Sequence, residues 1–507
     1  MTTKAQLQAW LKSSSAIRVV LVEITGVGGA PSSSFFLSNR PYTSKASDSP
    51  ANQVYDACIS GGVTFSQSLD LSGGSAQLSF GDIEIDNTPS TSANSGVRDG
   101  WLGYLWANKP VTILIGDATW SRADFYPVFN GLIFDIDSKS RTTLNLILVD
   151  KLQKLNVPIS DVSVSGSTSA ATNAQLIPLT LGECFNITPL VVNAPNLVYQ
   201  VHNGAMQGLI EVRDNGVKIT SYTEDLATGK FTLTANPAGT ITCSVQGSTL
   251  GGTYSNSLGS IISYLLRNYG SGVTVLDLDD TLLKRYDNVN GIATSVGIYL
   301  SDRQNLLDVC QQLAFSVGAY LTTAMDEASG RAKFRLVQLQ ADYLGAADYS
   351  VTPSDIEFHS LQLNTKVDVE GSVKLAYCKN WTPQESGLAN GITPQNVAVL
   401  NKEWFYSTVS DSTTLTAYSL KAEPEQRDTY LITKAKADAE SARLLALKKT
   451  PRYIYTATYL AHMLPVELGD WINIKNSRFG LTTGKTGQVI SIDRDWLQGR
   501  VTIGVFI

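Results

Sequence analysis

Three acidic residues alternate along one segment of the sequence. Asp82, Glu84 and Asp86 stand at every second position, with Ile83 and Ile85 between them. Successive side chains of a β-strand point to opposite faces, so the three carboxylates share one face. Carboxylates can bind a hard cation, but metal cages draw their ligands from converging loops. We therefore interpret this segment as a solvated or lumen-facing strand and predict no metal ligands in it.

A second acidic motif ends an apolar run. Asp277, Asp279 and Thr281 have the spacing D-x-D-x-T, which resembles the first motif of the haloacid-dehalogenase phosphatases. The resemblance implies that Asp277 attacks phosphorus, that Asp279 acts as general acid and base, and that Mg²⁺ joins the carboxylates. That family also needs parallel βαβ units downstream. Here the sequence predicts a helix and an antiparallel hairpin, so we interpret Asp279 and Asp280 as residues that cap or flank a turn.

Other reactive side chains are scattered along the sequence. It contains no C-x-x-C, no G-x-S-x-G and no P-loop. We therefore predict structural or surface histidines, reduced buried thiols, and no catalytic, metal or cofactor site. The aromatic run 404–406 has two interpretations, stacking on a sugar and interface packing. The histidines are His202, His359 and His462, the cysteines are Cys58, Cys184, Cys243, Cys310 and Cys378, and the aromatic residues are Trp404, Phe405 and Tyr406.

Length and charge bound the class of protein. A chain of 507 residues is too long for one core, so we expect three or four domains. Its formal net charge of −6 argues against a surface that grips nucleic acid, although a neutral or acidic channel would let DNA slide through. The sequence contains no apolar run of signal-peptide length at its start and none long enough to cross a bilayer, so we predict no stable membrane insertion.

One element of the sequence occurs twice. Gly131 and Asp137 match Gly487 and Asp493, with an offset of 356 in both cases (487 − 131 and 493 − 137). Each copy alternates apolar and polar residues with period two, as half-buried antiparallel strands do. Short antiparallel strands with regular turns usually close on themselves, which removes exposed edges. The pattern therefore predicts two related antiparallel β-barrels.

The remaining patterns predict a mainly β fold with α+β parts. Asp214-Asn215-Gly216 indicates a hairpin, Ser301 with Gln304 a capping box, Thr433–Lys448 a helix, and Ser160–Thr172 a linker. We predict an N-terminal β-barrel domain at 1–158, an inserted small β-sandwich domain at 159–250, an α+β domain with a helix and a hairpin at 251–350, and a C-terminal β-barrel domain at 351–507 with a helical insertion at about 384–450.

The order of several short motifs along the chain resembles a known family. The motifs are 80–87, 128–133, 214–217, 373–381, 487–489 and 500–505. Together they resemble the tail hub (baseplate hub) proteins of long-tailed bacteriophages and of related gene-transfer particles. The resemblance implies a homotrimer with two related barrels per subunit, arranged as a pseudo-sixfold ring. Some relatives hold an iron–sulfur cluster, but the cysteine spacing does not match here, so we predict no cofactor.

The resulting hypothesis is a structural, non-enzymatic virion protein. It would be a trimeric tail hub, a symmetry adaptor that joins the tail tube to tip proteins and encloses the DNA-ejection channel. We expect it at the tail tip or baseplate of a virion, after assembly in the host cytoplasm. The expected partners are two further copies of the chain, a distal tail ring or tail tube protein, the C-terminus of a tape measure protein, central tail fibre or tip proteins, and DNA transiently in the lumen.

Two other interpretations of the sequence stay open. One is a tail-tip protein that binds a receptor or glycan, which the aromatic run 404–406 would serve. The other is a haloacid-dehalogenase-like phosphatase centred on Asp277.

Overall fold

A computed structural model describes residues 2–28, 32–71, 77–89, 95–165, 174–341, 343 and 345–507. Antiparallel strands dominate and a few helices lie among them, so the predicted mainly β fold with α+β parts is confirmed. Most of the predicted linker, residues 166–172, lies outside the described residues. In the described part of the chain, no helix has the length and apolar character needed to span a bilayer.

The N-terminal part consists of one helix and a set of alternating strands. Helix α1 (Lys4–Leu11) begins at a capping box, in which the Thr3 hydroxyl and the Gln6 amide each accept the other residue's backbone N–H. The strands are β1 (Arg18–Val27), β2 (Ser33–Ser38), β3 (Tyr42–Thr43), β4 (Val54–Ala57), β5 (Ile59–Ser68), β6 (Phe80–Asp86), β7 (Pro110–Asp117), β8 (Tyr126–Ser140) and β9 (Thr143–Val149).

The middle part contains two small sheets that share a core, including Cys184, Val212 and Phe231. Asn215 and Gly216 have positive φ in the β13–β14 turn, which confirms the predicted hairpin. The strands are β10 (Leu179–Ile187), β11 (Leu190–Asn193), β12 (Val198–Gln200), β13 (Met206–Asp214), β14 (Val217–Ile219), β15 (Tyr222–Asp225), β16 (Lys230–Leu233), β17 (Ile241–Ser248), β18 (Asn288–Val289), β19 (Ile292–Ala293), β20 (Gly297–Leu300), β21 (Ala319–Asp326) and β22 (Arg331–Gln338).

Three helices accompany these strands: α2 (Leu258–Tyr269), α3 (Asp280–Leu283) and α4 (Leu306–Phe315). The predicted capping box of Ser301 and Gln304 is wrong. Helix α4 begins after Asn305, whose side chain accepts the N–H of Leu307 at 2.9 Å. The helix starts later because Gln304 is engaged elsewhere, where its carbonyl accepts the N–H of Ile159 at 2.9 Å.

The C-terminal part holds the predicted long helix. Helix α7 (Lys434–Lys448) confirms the helix predicted at Thr433–Lys448, with Thr433 at its N-cap. The other helices are α5 (Pro394–Leu400) and α6 (Ser412–Ala417). The strands are β23 (Tyr349–Val351), β24 (Gln362–Val367), β25 (Ser372–Tyr377), β26 (Phe405–Ser410), β27 (Gln426–Asp428), β28 (Arg452–Leu460), β29 (Trp471–Ile474), β30 (Lys485–Asp495) and β31 (Arg500–Phe506).

One sheet of 15 strands joins the two ends of the chain. Its order is β24-β28-β31-β30-β5-β6-β9-β8-β7-β1-β2-β4-β3, with β29 and β23 attached beside β30. This corrects the prediction of two closed barrels, because the described strands form one continuous path without a closed ring. A single apolar cluster contains residues from both ends, such as Ile113 and Ile503. The two ends of the chain therefore share a core. The domain boundaries stay a prediction.

Candidate assembly interface

Two copies of one meander lie in the large sheet. Strands β7, β8 and β9 pair in the same antiparallel order as β29, β30 and β31. A Cβ at Gly131 would lie 2.6 Å from the carbonyl oxygen of Val149, and a Cβ at Gly487 would clash with the carbonyl of Phe506. The two glycines thus allow the same close approach to the third strand. The repeat predicted from the sequence is confirmed.

An irregularity in pairing recurs at the same place in both copies. The register of β8 against β9 shifts between Ile133 and Asp135, and that of β30 against β31 shifts between Val489 and Ser491. These positions are again 356 residues apart (489 − 133 and 491 − 135). A bulge inserts one extra residue into a strand and bends it. Two copies that share a bulge share a bend as well as a strand order.

The strand before each meander also corresponds. Ile83 of β6 faces Leu146 of β9, and Ala457 of β28 faces Ile503 of β31. Both pairs extend the meander by one strand on the same side. Strands β6 and β28 therefore occupy the same place in their units.

A further strand completes each unit. Phe65 of β5 faces Gly81 of β6, and Leu363 of β24 faces Tyr455 of β28. Gly81 and Tyr455 hold the same position in their strands, so Phe65 corresponds to Leu363. Each unit is thus a set of strands in one order, with β5 at the edge of the first unit and β24 at the edge of the second.

The two units meet where β30 pairs with β5. Residues 491–495 run antiparallel to residues 64–68. The Ser66 hydroxyl donates to Asp493 Oδ1 at 2.7 Å, and the buried Arg494 donates to Gln67 Oε1 at 2.9 Å. Charge-assisted bonds of this kind fix geometry as well as adding stability. The junction is therefore specific in register.

Each unit also has one edge that matches a side of this junction, and among the described strands no strand of the same chain pairs with that edge. Residues 135–139 of β8 correspond to residues 491–495, and β7 pairs with β8 only as far as Leu132. On the other side of the sheet, β24 pairs with β28 alone. Among the described strands, both edges are open.

Apolar side chains mark both open edges. Phe134 is the extra residue of the β8 bulge and is 43% exposed, whereas its counterpart Ile490 is 5% exposed. Leu363 on β24 is 41% exposed, whereas its counterpart Phe65 is 2% exposed. Burying such side chains is favourable by roughly 25 cal/mol per Å² of apolar surface. The open edges therefore have the composition of an interface.

The acidic strand face is occupied by basic side chains. Lys139 Nζ lies 3.2 Å from Asp82 Oδ2 and 3.0 Å from Glu84 Oε1, and Arg98 Nη1 lies 3.7 Å from Asp86 Oδ2. The carboxylates are thus paired on a partly exposed strand, as the solvated-strand interpretation expects. In the part of the chain that the structure describes, no three His, Cys, Asp or Glu side chains form a group that could hold a metal ion.

The D-x-D-x-T motif lies in capped turns. Asp277 ends a 3-10 helix (Val275–Asp277), so the apolar strand that the phosphatase resemblance requires is absent at this motif. The Asp279 side chain accepts the N–H of Leu282 at the start of α3 at 3.0 Å. The following strands β21 and β22 are antiparallel, as predicted. The interpretation of Asp279 as a capping residue is confirmed.

Asp277 forms a buried ion pair. Lys151 Nζ lies 2.9 Å from Asp277 Oδ1 and also donates to the carbonyl of Ala332 at 2.9 Å. Burial alone would raise the pKa of Asp277, but hydrogen bonds from Lys151 and Thr274 lower it below its ordinary value. The carboxylate is therefore ionised and fully engaged, with its lone pairs directed at structural donors.

The histidines are held by neighbouring groups. His202 is buried, its Nδ1 accepts the N–H of Thr180 at 3.1 Å, and burial lowers its pKa to about 4. His462 Nε2 lies 3.1 Å from Asp355 Oδ1, and burial lowers its pKa. His359 lies against the ring of Phe358 at 3.8 Å between centroids. The three residues lie in different parts of the chain and share no site.

All five cysteines are free thiols. Cys184, Cys243 and Cys310 are completely enclosed, and burial raises their pKa. Burial also raises the pKa of Cys58 to about 12 and that of Cys378 to about 11. Their thiolates are therefore disfavoured at neutral pH. The predicted reduced thiols are in place, with Cys378 only partly buried.

The aromatic run 404–406 does not form a single platform. Trp404 is buried and Lys379 Nζ lies 5.1 Å from its ring centroid, while Lys374 Nζ lies 4.1 Å from the ring of the exposed Tyr406. Cation–π contacts of this kind occupy the ring faces that a sugar would need. The packing interpretation of this run fits better than the sugar-stacking one.

Sequence reasoning found the meanders but missed the open edges. A signal was present: Ile133-Phe134 and Val489-Ile490 place two apolar residues side by side, immediately before the alternating stretches Asp135–Asp137 and Ser491–Asp493. Such a break in period two is the mark of a bulge. The open edge itself could not be read from the sequence, because both copies have the same pattern and only one is paired within the chain.

No family model matches the chain, and no curated protein matches its sequence. Solved structures that it resembles include a tail protein from Neisseria meningitidis MC58, at 10% identity over 97% of this chain and 96% of that one, with a TM-score of 0.40. A second is the 43 kDa tail protein of prophage MuSo2 from Shewanella oneidensis, at 11% identity over 96% and 98%, with a TM-score of 0.40.

A third similar chain belongs to the virion of a native gene transfer agent particle, at 11% identity over 70% of this chain and 91% of that one, with a TM-score of 0.40. At such identities and TM-scores we draw no function from the similarity.

Proposed function

We propose that the chain is the subunit of a homotrimeric tail hub, in which strands join head to tail into a pseudo-sixfold ring. One observation carries the proposal: the open edges on β8 and β24 correspond to β30 and β5, which pair within the chain. Open edges with exposed apolar residues pair readily with another strand. The edge of β8 in one subunit therefore pairs with β24 of the next.

The junction within the chain predicts the register between subunits. Arg494 faces Phe65 in that junction. Their counterparts are Ser138 and Leu363, so Ser138 of one subunit faces Leu363 of its neighbour in an antiparallel pair. The contact buries Phe134 in the place that Ile490 fills within the chain.

A head-to-tail contact forms a ring when its rotation closes. Each subunit contributes two similar units, one junction inside the chain and one junction to its neighbour. Three subunits then give six similar units around one axis. The number three comes from the resemblance to tail hubs. Around the ring, junctions inside a chain would alternate with junctions between chains, and this alternation lets three copies of a duplicated chain approach sixfold symmetry.

Such a ring serves as a symmetry adaptor in a virion. Its six units meet the sixfold tail tube or distal tail ring, while its threefold parts meet the central fibre or tip proteins. Before DNA ejection, the C-terminus of the tape measure protein lies at the hub. During ejection, DNA passes through the lumen of the ring. The hub is assembled in the host cytoplasm and occupies the tail tip or baseplate. The proposed role is structural and non-enzymatic, and the ion pair of Asp277 with Lys151 is part of the fold in this proposal.

The oligomer of the purified full-length chain tests this proposal. Native mass spectrometry is expected to give three times the subunit mass of 54.7 kDa, and negative-stain class averages are expected to show a ring with six similar lobes. A chain that stays monomeric at every accessible concentration would contradict the proposal. If the purified protein blocks the adsorption of virions to host cells but forms no trimer, the result would favour the receptor-binding interpretation.

A further inference from the structure

In the described part of the chain, Phe358 is the large apolar side chain with the highest exposure, at 86%. It lies in a short turn just before β24, and hydrogen bonds hold the backbone of this turn. The N–H of Glu357 donates to the carbonyl of Thr458 on β28 at 2.8 Å. The N–H and the hydroxyl of Ser360 donate to the carbonyl of Glu357 at 3.0 and 2.7 Å. An aromatic ring held out in this way has the character of an anchor residue at a protein interface.

The turn that carries Phe358 occupies the same place in its unit as a bulge in β5. Ile59 of β5 faces Ile85 of β6, just before that bulge. Ile356, just before the turn, bridges Tyr459 of β28. Ile85 and Tyr459 are 374 residues apart (459 − 85), which is the offset between corresponding positions of β6 and β28 (455 − 81). The bulge and the turn are therefore counterparts.

Within the chain, the strand that carries the bulge is covered by a hairpin of the other unit. Residues 60–62 in the bulge are Ser-Gly-Gly and have almost no side chains. Trp496, in the hairpin between β30 and β31, donates its N–H to the carbonyl of Val63 at 3.0 Å. Its buried ring stacks on that of Phe65, with 6.4 Å between centroids. In this junction the hairpin supplies the large side chain.

Between subunits, the sizes of the side chains are reversed. The counterpart of Trp496 is Ser140 (496 − 356), at the end of β8, and the hairpin that follows it consists of Arg141-Thr142. Residues 357–360 of the neighbouring subunit, the counterpart of the Ser-Gly-Gly bulge, carry Phe358. The hairpin with a small residue therefore meets the turn with a large one, and such complementary shapes pack closely at interfaces.

We propose that Phe358 of one subunit packs against the β8–β9 hairpin, residues 140–143, of the next subunit. This inference rests on the proposed head-to-tail ring, and it adds an anchor beyond the paired strands β24 and β8. Leu460 lies next to the buried Tyr459 on β28, so it faces outward, and it is 44% exposed. This end of the open edge thus offers two apolar side chains to a second copy of the chain.

Photo-crosslinking tests the contact. p-Benzoyl-phenylalanine in place of Phe358 keeps an aromatic ring there and bonds to C–H groups within its reach under near-ultraviolet light. Trimers assembled from isotope-labelled and unlabelled subunits distinguish bonds between subunits from bonds within one. Chymotrypsin cleaves after Phe134 and Leu144 and releases the peptide 135–144. We expect position 358 of one subunit to be joined to this peptide of another, at residues 140–143.

Phe358→Ala measures what the contact contributes. We expect the subunit concentration at which half of the protein is trimeric to rise about 10-fold or more, because a phenyl ring loses its burial. Ile210→Ala is the matched control, since Ile210 is 45% exposed but lies on β13 in the small sheets. It should leave the trimer unchanged. Both variants should keep the far-ultraviolet circular dichroism of the wild type, because the replaced side chains are exposed.

The outcomes separate this contact from the hub proposal. A wild-type trimer in which position 358 bonds to residues outside 140–143 would overturn the contact and leave the ring intact. A trimer that Phe358→Ala weakens no more than Ile210→Ala would do the same. A wild type that forms no trimer would reject the ring and this contact together.

Discussion

Phe134 and Ile490 hold the same position in two copies of one meander, 356 residues apart (490 − 134), yet only Ile490 is buried. Ile490 lies at the junction with β5, where its carbonyl accepts the N–H of Leu69 at 2.8 Å. Phe134 has no such strand beside it within the chain. A duplicated element with one satisfied copy and one open copy has the asymmetry that a head-to-tail assembly needs.

Replacing Phe134 by Asp is expected to break the contact between subunits. A buried Phe contributes roughly 1.5–3 kcal/mol, and a charge in its place adds a desolvation cost. We expect Phe134→Asp to be a folded monomer under conditions where the wild type is a trimer. Sedimentation velocity gives the oligomer, and far-ultraviolet circular dichroism checks the fold.

Ile210→Asp is the control for that substitution, because Ile210 is about as exposed as Phe134 but lies on β13, in the small sheets. It should leave the trimer intact. If Phe134→Asp and Ile210→Asp dissociate the protein equally, the effect is one of solubility and the proposed contact is wrong.

A disulfide tests the register of the contact. Ser138→Cys combined with Leu363→Cys places the two thiols opposite each other across neighbouring subunits. Cross-strand neighbours in an antiparallel pair bring Cβ atoms roughly 4.5–5.5 Å apart, which a small backbone movement can bridge. We expect oxidation of the double variant to give covalent dimers and then trimers on a non-reducing gel. Each single variant should stay uncrosslinked, and a double variant that does the same would reject this register.

The sequence predicted the meanders because local chemistry determines them. Alternation sets the strands, and Gly131 and Gly487 are required where the third strand passes close by. The prediction that the strands close into two barrels was wrong, because closure depends on contacts between distant parts of the sequence. Strand pairing between residues 491–495 and 64–68 spans more than four hundred positions, and period two says which face is buried without saying which strand lies beside it.

The capping box predicted at Ser301 and Gln304 failed through a similar non-local contact, although the helix that follows it forms as α4. Ser301 and Gln304 carry the capping-box pattern, but Gln304 and Leu306 are hydrogen-bonded to Ile159 and Val157 instead. A local propensity worth about 1 kcal/mol gives way to a tertiary contact of that kind. The open edges depend on such contacts throughout, so they could not be predicted from the sequence.

The Lys151–Asp277 pair is expected to matter for stability and not for catalysis. Asp277→Asn leaves Lys151 buried without its counter-charge, which costs roughly 3–5 kcal/mol in comparable pairs. Asp280→Asn, at an exposed pair with Lys284, should cost less than about 1 kcal/mol. Urea unfolding followed by tryptophan fluorescence measures both. Mg²⁺-dependent hydrolysis of p-nitrophenyl phosphate by the wild type, lost in Asp277→Asn, would instead support the phosphatase interpretation.

His202 is expected to make the protein less stable in acid. The folded chain keeps it neutral to about pH 4, because burial lowers its pKa and Nδ1 accepts the N–H of Thr180. In the unfolded chain a histidine takes up its proton near pH 6.5. Protons therefore favour unfolding below pH 6.5, and the free energy of unfolding falls by about 3 kcal/mol as pH falls from 6.5 to 4.

His202→Gln isolates this contribution from other titrating groups. Gln carries no proton-binding site in this range, and its amide oxygen can accept the Thr180 N–H. We expect the wild type to lose unfolding free energy relative to His202→Gln as pH falls from 7 to 4.5. His359→Gln, at an exposed histidine outside this contact, is the control for the replacement of a histidine by glutamine. A difference between wild type and His202→Gln that is constant with pH would mean that His202 binds protons equally in the folded and unfolded chain, so that burial does not lower its pKa.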